Sequence, residues 1–140
     1  MQLTSGWEIV TGATSKLAVY VSRPTAATEP LPGVLVLQEV WGVDDHIVDI
    51  ADRIAAAGYV AVSPDVYSIG GERPDAISAP RVDGLKKFFD TMPIGAWQDT
   101  DLRNAELAKL PQAEADALNE TMTTLFGQFA SMETFIDELR

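Results

Sequence analysis

Gln38 and Glu39 stand where an apolar run ends, directly after Val34-Leu35-Val36-Leu37 and before Val40-Trp41-Gly42. A carboxylate at the mouth of a buried strand is costly unless it is paired or hydrogen-bonded. Glu39 therefore either belongs to a site or turns outward to solvent. Other chemistry is scarce. Ser5, Ser15, Ser22, Ser63, Ser68, Ser78 and Ser131 all lack the two flanking glycines of a G-x-S-x-G elbow. Ser63 and Thr91 remain as weaker nucleophile candidates outside that motif. The single histidine, His46, opens a helix and precedes any partner that a hydrolytic triad on an α/β sheet would need; it reads as a surface or capping side chain. Asp45, Asp49 and Asp52 share a helical face opposite the apolar stripe and read as a solvated face, so no metal site is expected. Gly70-Gly71 lacks the Lys-Ser/Thr and the strand–helix frame of a phosphate loop. No cysteine is present, which excludes disulfides, zinc–thiolate sites and thiol catalysis within this polypeptide.

The elements that must position Glu39 form one stretch, Leu31 to Tyr67. Val34 to Leu37, introduced by Pro32-Gly33, predicts a short strand buried on both faces, as in a parallel sheet. Asp44 and Asp45 are N-cap candidates. Ile47, Ile50, Ala51 and Ile54 then make one apolar helical stripe, and Gly58 suits a left-handed C-terminal cap. Tyr59 to Val62 predict a second buried strand. A βαβ unit connects in a right-handed sense and puts both strand C-termini on one edge, the edge where open α/β sheets bind ligands. Gln38 to Gly42 would sit there.

Before this unit, Trp7–Thr11 and Lys16–Arg23 predict an antiparallel hairpin, with a period of two in the second strand. After it, 68–111 reads as an excursion with short helices over Val82–Asp90 and Asp101–Leu110. It would cap a pocket or simply cover surface. Leu118, Met122, Leu125, Phe126, Phe129, Met132, Phe135, Ile136 and Leu139 recur at helical spacing through 112–140, a helix expected to cover the sheet and to be kinked or divided at Gly127. The 140 residues suit one domain. A net charge of −11 argues against nucleic acid and anionic membrane as partners. No apolar run approaches about 18 residues, and no basic-then-apolar leader is visible, so a cytoplasmic location is expected.

Gln38-Glu39-Val40-Trp41-Gly42-Val43, then Asp45-His46-Ile47, then Ala57-Gly58-Tyr59-Val60-Ala61-Val62-Ser63-Pro64-Asp65-Val66-Tyr67 resembles the dienelactone hydrolase family, and the resemblance extends back through Tyr20-Val21-Ser22-Arg23-Pro24. It implies a partial α/β-hydrolase fold: hairpin, parallel βαβ unit, helical excursion and C-terminal helix, lacking the second half of the sheet. It implies hydrolysis of lactones or carboxylic esters without a cofactor, by a cysteine in a G-x-C-x-G-G elbow supported by histidine and aspartate. Those three belong to the part of the family pattern that would follow Arg140, so the chain is expected to be an N-terminal half, inactive alone. Under this resemblance Glu39 is the buried carboxylate that contacts and activates the thiol. The Val40 backbone N–H is an oxyanion-hole donor, and Trp41 and Tyr67 shape the substrate pocket. The family's substrate-gripping arginine has no clear match, and Arg73, Arg81 and Arg103 lie in the divergent segment, where none is assigned to it. The expected partners are a small ester or lactone and either a complementary C-terminal half or a second copy. The alternative is a non-catalytic interaction or binding module that keeps half of a hydrolase fold.

Overall fold

Residues 2–12, 15–68 and 70–138 are described by a computed structural model, with side chains as far as residue 128. The chain divides into two compact units, Met1–Arg73 and Pro74–Arg140.

The first unit holds the sheet. Strands β1 (Leu3–Thr11) and β2 (Lys16–Pro24) form the expected antiparallel hairpin, with Trp7 opposite Tyr20, and β1 begins earlier than its apolar pattern suggests. Strand β3 (Gly33–Leu35) leads to helix α1 (Asp45–Ala56) and then to β4 (Val60–Pro64). The order β1-β2-β4-β3 pairs β4 antiparallel with β2 and parallel with β3. The parallel βαβ unit is therefore present.

Helix α1 lies on one face of this sheet. Tyr20, Val36, Val43, Ile47, Ala51, Ala55 and Ala61 make the core between them, with Ile50 and Ile54 packed at its margin. Ala51, Ala55 and Ala61 are fully buried, so small side chains let helix and sheet approach closely. Tyr20 spans the core and donates its hydroxyl to Asp52 at 3.0 Å. Of the two cap candidates it is Asp44 that accepts from the Ile47 N–H, at 3.1 Å. Gly58, at φ 101°, turns the chain out of α1 as a left-handed cap requires.

Strand β3 departs from expectation. Only three residues are strand, and Leu35 and Leu37 are 62% and 68% exposed while Val36 is buried. The cause is alternation: successive side chains point to opposite faces of the sheet, and the face of Leu35 and Leu37 is the one turned away from α1. Val36 enters the core beneath α1; Leu35 and Leu37 point the other way.

The second unit is helical. A 3-10 turn (Asp75–Ile77) leads into α2 (Ala79–Thr91), followed by α3 (Thr100–Leu107) and α4 (Gln112–Glu138). The two short helices predicted within 68–111 are present with shifted ends. Asp99 caps α3 by accepting from the Asp101 and Leu102 N–H groups. Val82, Leu85 and Phe89 of α2 are buried, and Phe89 stacks on Trp97 with ring centroids 4.0 Å apart. Within this unit α4 packs against α2 and the 3-10 turn. It runs unbroken through Gly127, where a division was expected, because flanking residues keep the helical hydrogen bonding that a glycine weakens but does not abolish. Leu118 and Leu125 are buried as their spacing predicts, whereas Phe126 is 37% exposed. Phe129, Met132, Phe135, Ile136 and Leu139 lie outside the residues whose side chains are described. The periodicity does not reveal Thr121, a fully buried residue that accepts from Arg81 Nε at 2.9 Å. Arg81 also reaches the Ala117 carbonyl and the Glu120 carboxylate, which fastens α2 to α4.

The cap assignment is directly testable. Asp44→Ala removes the acceptor for the Ile47 N–H and should lower stability by about 1 kcal/mol in urea unfolding. Asp45→Ala, which disturbs only an exposed first-turn charge, should cost a few tenths at most. Equal losses would refute the assignment.

Candidate active site

The chain from Glu39 to Gly42 closes a tight turn beyond β3. The Gly42 N–H donates to the Glu39 carbonyl at 3.0 Å, and the Gly42 carbonyl in turn accepts from Asp44, which begins the α1 cap. Gly42 sits at φ +85°, a conformation that L side chains rarely adopt. A Cβ there would also collide with the Arg73 guanidinium.

Three contacts from the segment after β4 hold this turn. Gln38 Oε1 accepts from the Val66 N–H at 3.0 Å. The Tyr67 hydroxyl donates to the Val40 carbonyl at 2.9 Å. The guanidinium of Arg73 lies against Gly42 and 5.9 Å from the centre of the Tyr67 ring. Asp65 organises the far side: its Oδ1 accepts from the Tyr67 N–H, and its Oδ2 pairs with Arg73 Nε at 2.5 Å. The Asp65 and Arg73 side chains are 5% and 13% exposed, so the pair is largely withdrawn from water. Ser68 completes the anchorage, donating to the Asp65 carbonyl at 2.7 Å and accepting from the β2 amide of Ala18 at 2.9 Å. Gly70 and Gly71, both at positive φ, turn the chain so that Arg73 can return to the loop. That turn is their role, consistent with the absence of a phosphate-loop frame.

Glu39 and Val40 are therefore brought to the carboxyl end of β3. Tyr67 is buried beneath the turn, and Trp41 is half-buried on it. The Val40 carbonyl is occupied by Tyr67, whereas no acceptor is recorded among the described residues for the Val40 N–H. Glu39 differs from the buried carboxylate that the resemblance implies. Its side chain is exposed, with no partner recorded among the described residues. Its place is the end of β3, the outer strand of the sheet among the described residues. The network also includes residues given no role by the residue pattern: Gln38, Asp65, Ser68 and Arg73. Gln38 and Asp65 lie within the quoted motifs, and the Gly70-Gly71 pair is the signal nearest to Ser68 and Arg73.

The remaining candidates are spent elsewhere. Ser63 is fully buried and donates to the Val36 carbonyl at 2.9 Å. The Thr91 hydroxyl donates to the Phe88 carbonyl. His46 and Asp45 are exposed, Asp49 faces Arg53 across 3.8 Å, and Asp52 holds Tyr20. Among the described residues no group of three His, Cys, Asp or Glu is placed to hold a metal ion. Likewise none of the described helices is long and apolar enough to cross a membrane.

The open α/β sheet thus carries a glycine-closed, carboxylate-bearing turn at the carboxyl end of a parallel strand, the edge at which sheets of this class bind ligands. The family pattern of the dienelactone hydrolases matches residues 17–109, and the chain belongs to that family. It is 42% identical over 60 residues to a protein of Yersinia pestis provisionally named carboxymethylenebutenolidase, a match covering 43% of this chain and 22% of that protein. A protein of the same provisional name from Escherichia coli K12 is 35% identical over 78 residues, covering 56% of this chain and 29% of the relative. A solved structure from Klebsiella pneumoniae, titled as a provisionally assigned dienelactone hydrolase, aligns with 89% of this chain and 43% of its own, at 25% identity and a TM-score of 0.48. The matched stretches thus cover less than a third of the length of these two curated relatives.

Burial pushes the Tyr67 phenol up to about 12; the neighbouring Arg73 charge works against that rise, and the Asp65 charge adds to it. The raised value means that the neutral form is favoured in the fold. Stability is then complete below the ordinary value of 10.0 and declines as pH rises from there to about 12, where the folded phenol itself ionises. The loss is on the order of 2 kcal/mol. Urea midpoints should therefore fall across this window. Tyr67→Phe should flatten most of the fall; an unchanged slope would show that Tyr67 is not its source.

Proposed function

We propose that this chain supplies the N-terminal part of a site that hydrolyses lactones or carboxylic esters, the cysteine nucleophile being carried outside it. The observation that supports this most is the peptide between Glu39 and Val40. Its carbonyl, that of Glu39, accepts from the Gly42 N–H at 3.0 Å, which fixes the plane that carries the Val40 N–H, and no described residue accepts from that N–H. A donor held in that way is pre-organised for the oxygen that becomes negative when a thiolate adds to an acyl carbon. Loss of one such donor typically costs on the order of 10²–10³ in rate. In this reading Glu39, exposed at the end of β3, contacts the incoming thiol and takes part in its activation. The thiolate adds to the carbonyl carbon, the alkoxide leaves from the tetrahedral intermediate, and water releases the acyl group from sulfur. Trp41 lines the pocket and Tyr67 supports it from below. The partner that completes the site is a segment of the same family pattern, and the cellular compartment proposed is the cytoplasm.

A second reading is favoured by one observation. Leu35 and Leu37 are exposed on an edge strand, a surface that pairs readily with another strand. A non-catalytic module using this edge for association would present the same feature. Size-exclusion chromatography with and without a complementary family segment separates the two: self-association that the added segment leaves unchanged fits the module, and uptake of the segment with a gain of esterase turnover fits the half-site.

The hydrolase reading expects the purified chain to turn over neither p-nitrophenyl acetate nor a simple lactone above the buffer rate. A measurable rate abolished by Glu39→Gln would overturn the assignment of the nucleophile to another segment.

A further inference from the structure

Arg73 lies eight residues beyond Asp65, past two left-handed glycines. Its side chain nevertheless returns to the turn after β3. We propose that Arg73 is a positioning residue: anchored by Asp65, it sets the geometry of the Glu39–Gly42 turn by pressing against Gly42 and flanking Tyr67. Two independent features of the structure carry this. One is the ion pair through Nε at 2.5 Å, with both side chains largely buried, which fixes the guanidinium plane. The other is the space at Gly42, where the guanidinium occupies the volume that a side chain would need.

The physical logic is that of a buttress. Tyr67 can hold the Val40 carbonyl only if its ring is held in turn, and Arg73 packs beside that ring. Asp65 joins both, since one oxygen takes the Tyr67 N–H and the other the arginine. A planar, always-charged group suits this better than a flexible ammonium, because it can pair with a carboxylate at one edge and pack a flat face elsewhere. That the turn serves as an oxyanion donor rests on the functional reading above; that Arg73 sets its shape does not.

The test is amide hydrogen exchange and ¹H–¹⁵N chemical shifts of the full chain. In Arg73→Gln the Gly42 amide, which donates to the Glu39 carbonyl, should exchange about tenfold faster, with shifts at Val40, Trp41 and Gly42. Amides of the β1–β2 ladder should not change, which separates positioning from a general loss of stability. Asp65→Asn should reproduce the effect, and Arg73→Lys should restore it only in part. Unchanged Val40 and Gly42 signals in a folded Arg73→Gln chain would overturn the proposal, as would equal acceleration across the β1–β2 ladder. If Arg73→Gln does not fold, Gly42→Ala probes the same contact from the other side: the Arg73 Nε resonance should move, and a fixed resonance would sink the idea. Esterase assays bear only on the oxyanion role, so failure of that reading leaves this one separately decided.

Discussion

The buried pair of Asp65 and Arg73 is the constraint on which the site end of the sheet depends. Two withdrawn charges are expensive to place away from water, and each is tolerable only while the other stays. Their mutual requirement turns the segment after β4 into a rigid bracket. From that bracket Tyr67 reaches the Val40 carbonyl, Val66 reaches Gln38, and the guanidinium closes on Gly42. A loop beyond a three-residue edge strand would otherwise have little to hold it, since β3 supplies few ladder bonds of its own. The geometry of the Glu39 turn is therefore inherited from β4.

Much of this frame was legible in the residues. Apolar spacing marked α1, the pair Asp44 and Asp45 marked its start and Gly58 its end, because each of these follows from local backbone demands. The hairpin and the parallel βαβ unit followed from alternation and from the apolar runs. What could not be read was context. An apolar run such as Val34 to Leu37 looks the same whether one face of the strand is covered or both, and only the packing of α1 shows that Leu35 and Leu37 face away from the core.

The long-range polar contacts were equally hidden. Arg73 sits outside any periodic segment, and nothing in its neighbours says that it folds back upon Gly42. Thr121 interrupts the apolar stripe of α4, yet it is buried as the acceptor for Arg81. Both are cases of a polar side chain satisfied by a partner distant in sequence, which periodicity cannot register. The catalytic assignments of Glu39 and Val40 came from resemblance, and the geometry contributes a reason why a peptide N–H at that turn stays available.

The bare flank of β3 also bears on how the chain behaves as a colloid. Each copy exposes Leu35 and Leu37 and carries a net charge of −11, so like charge opposes contact between the apolar flanks of two copies. Electrolyte shortens the reach of that repulsion to roughly 10 Å at 0.1 M and about 3 Å at 1 M, and leaves the apolar contribution in place. The two features therefore act in opposite senses, and ionic strength weakens only one of them.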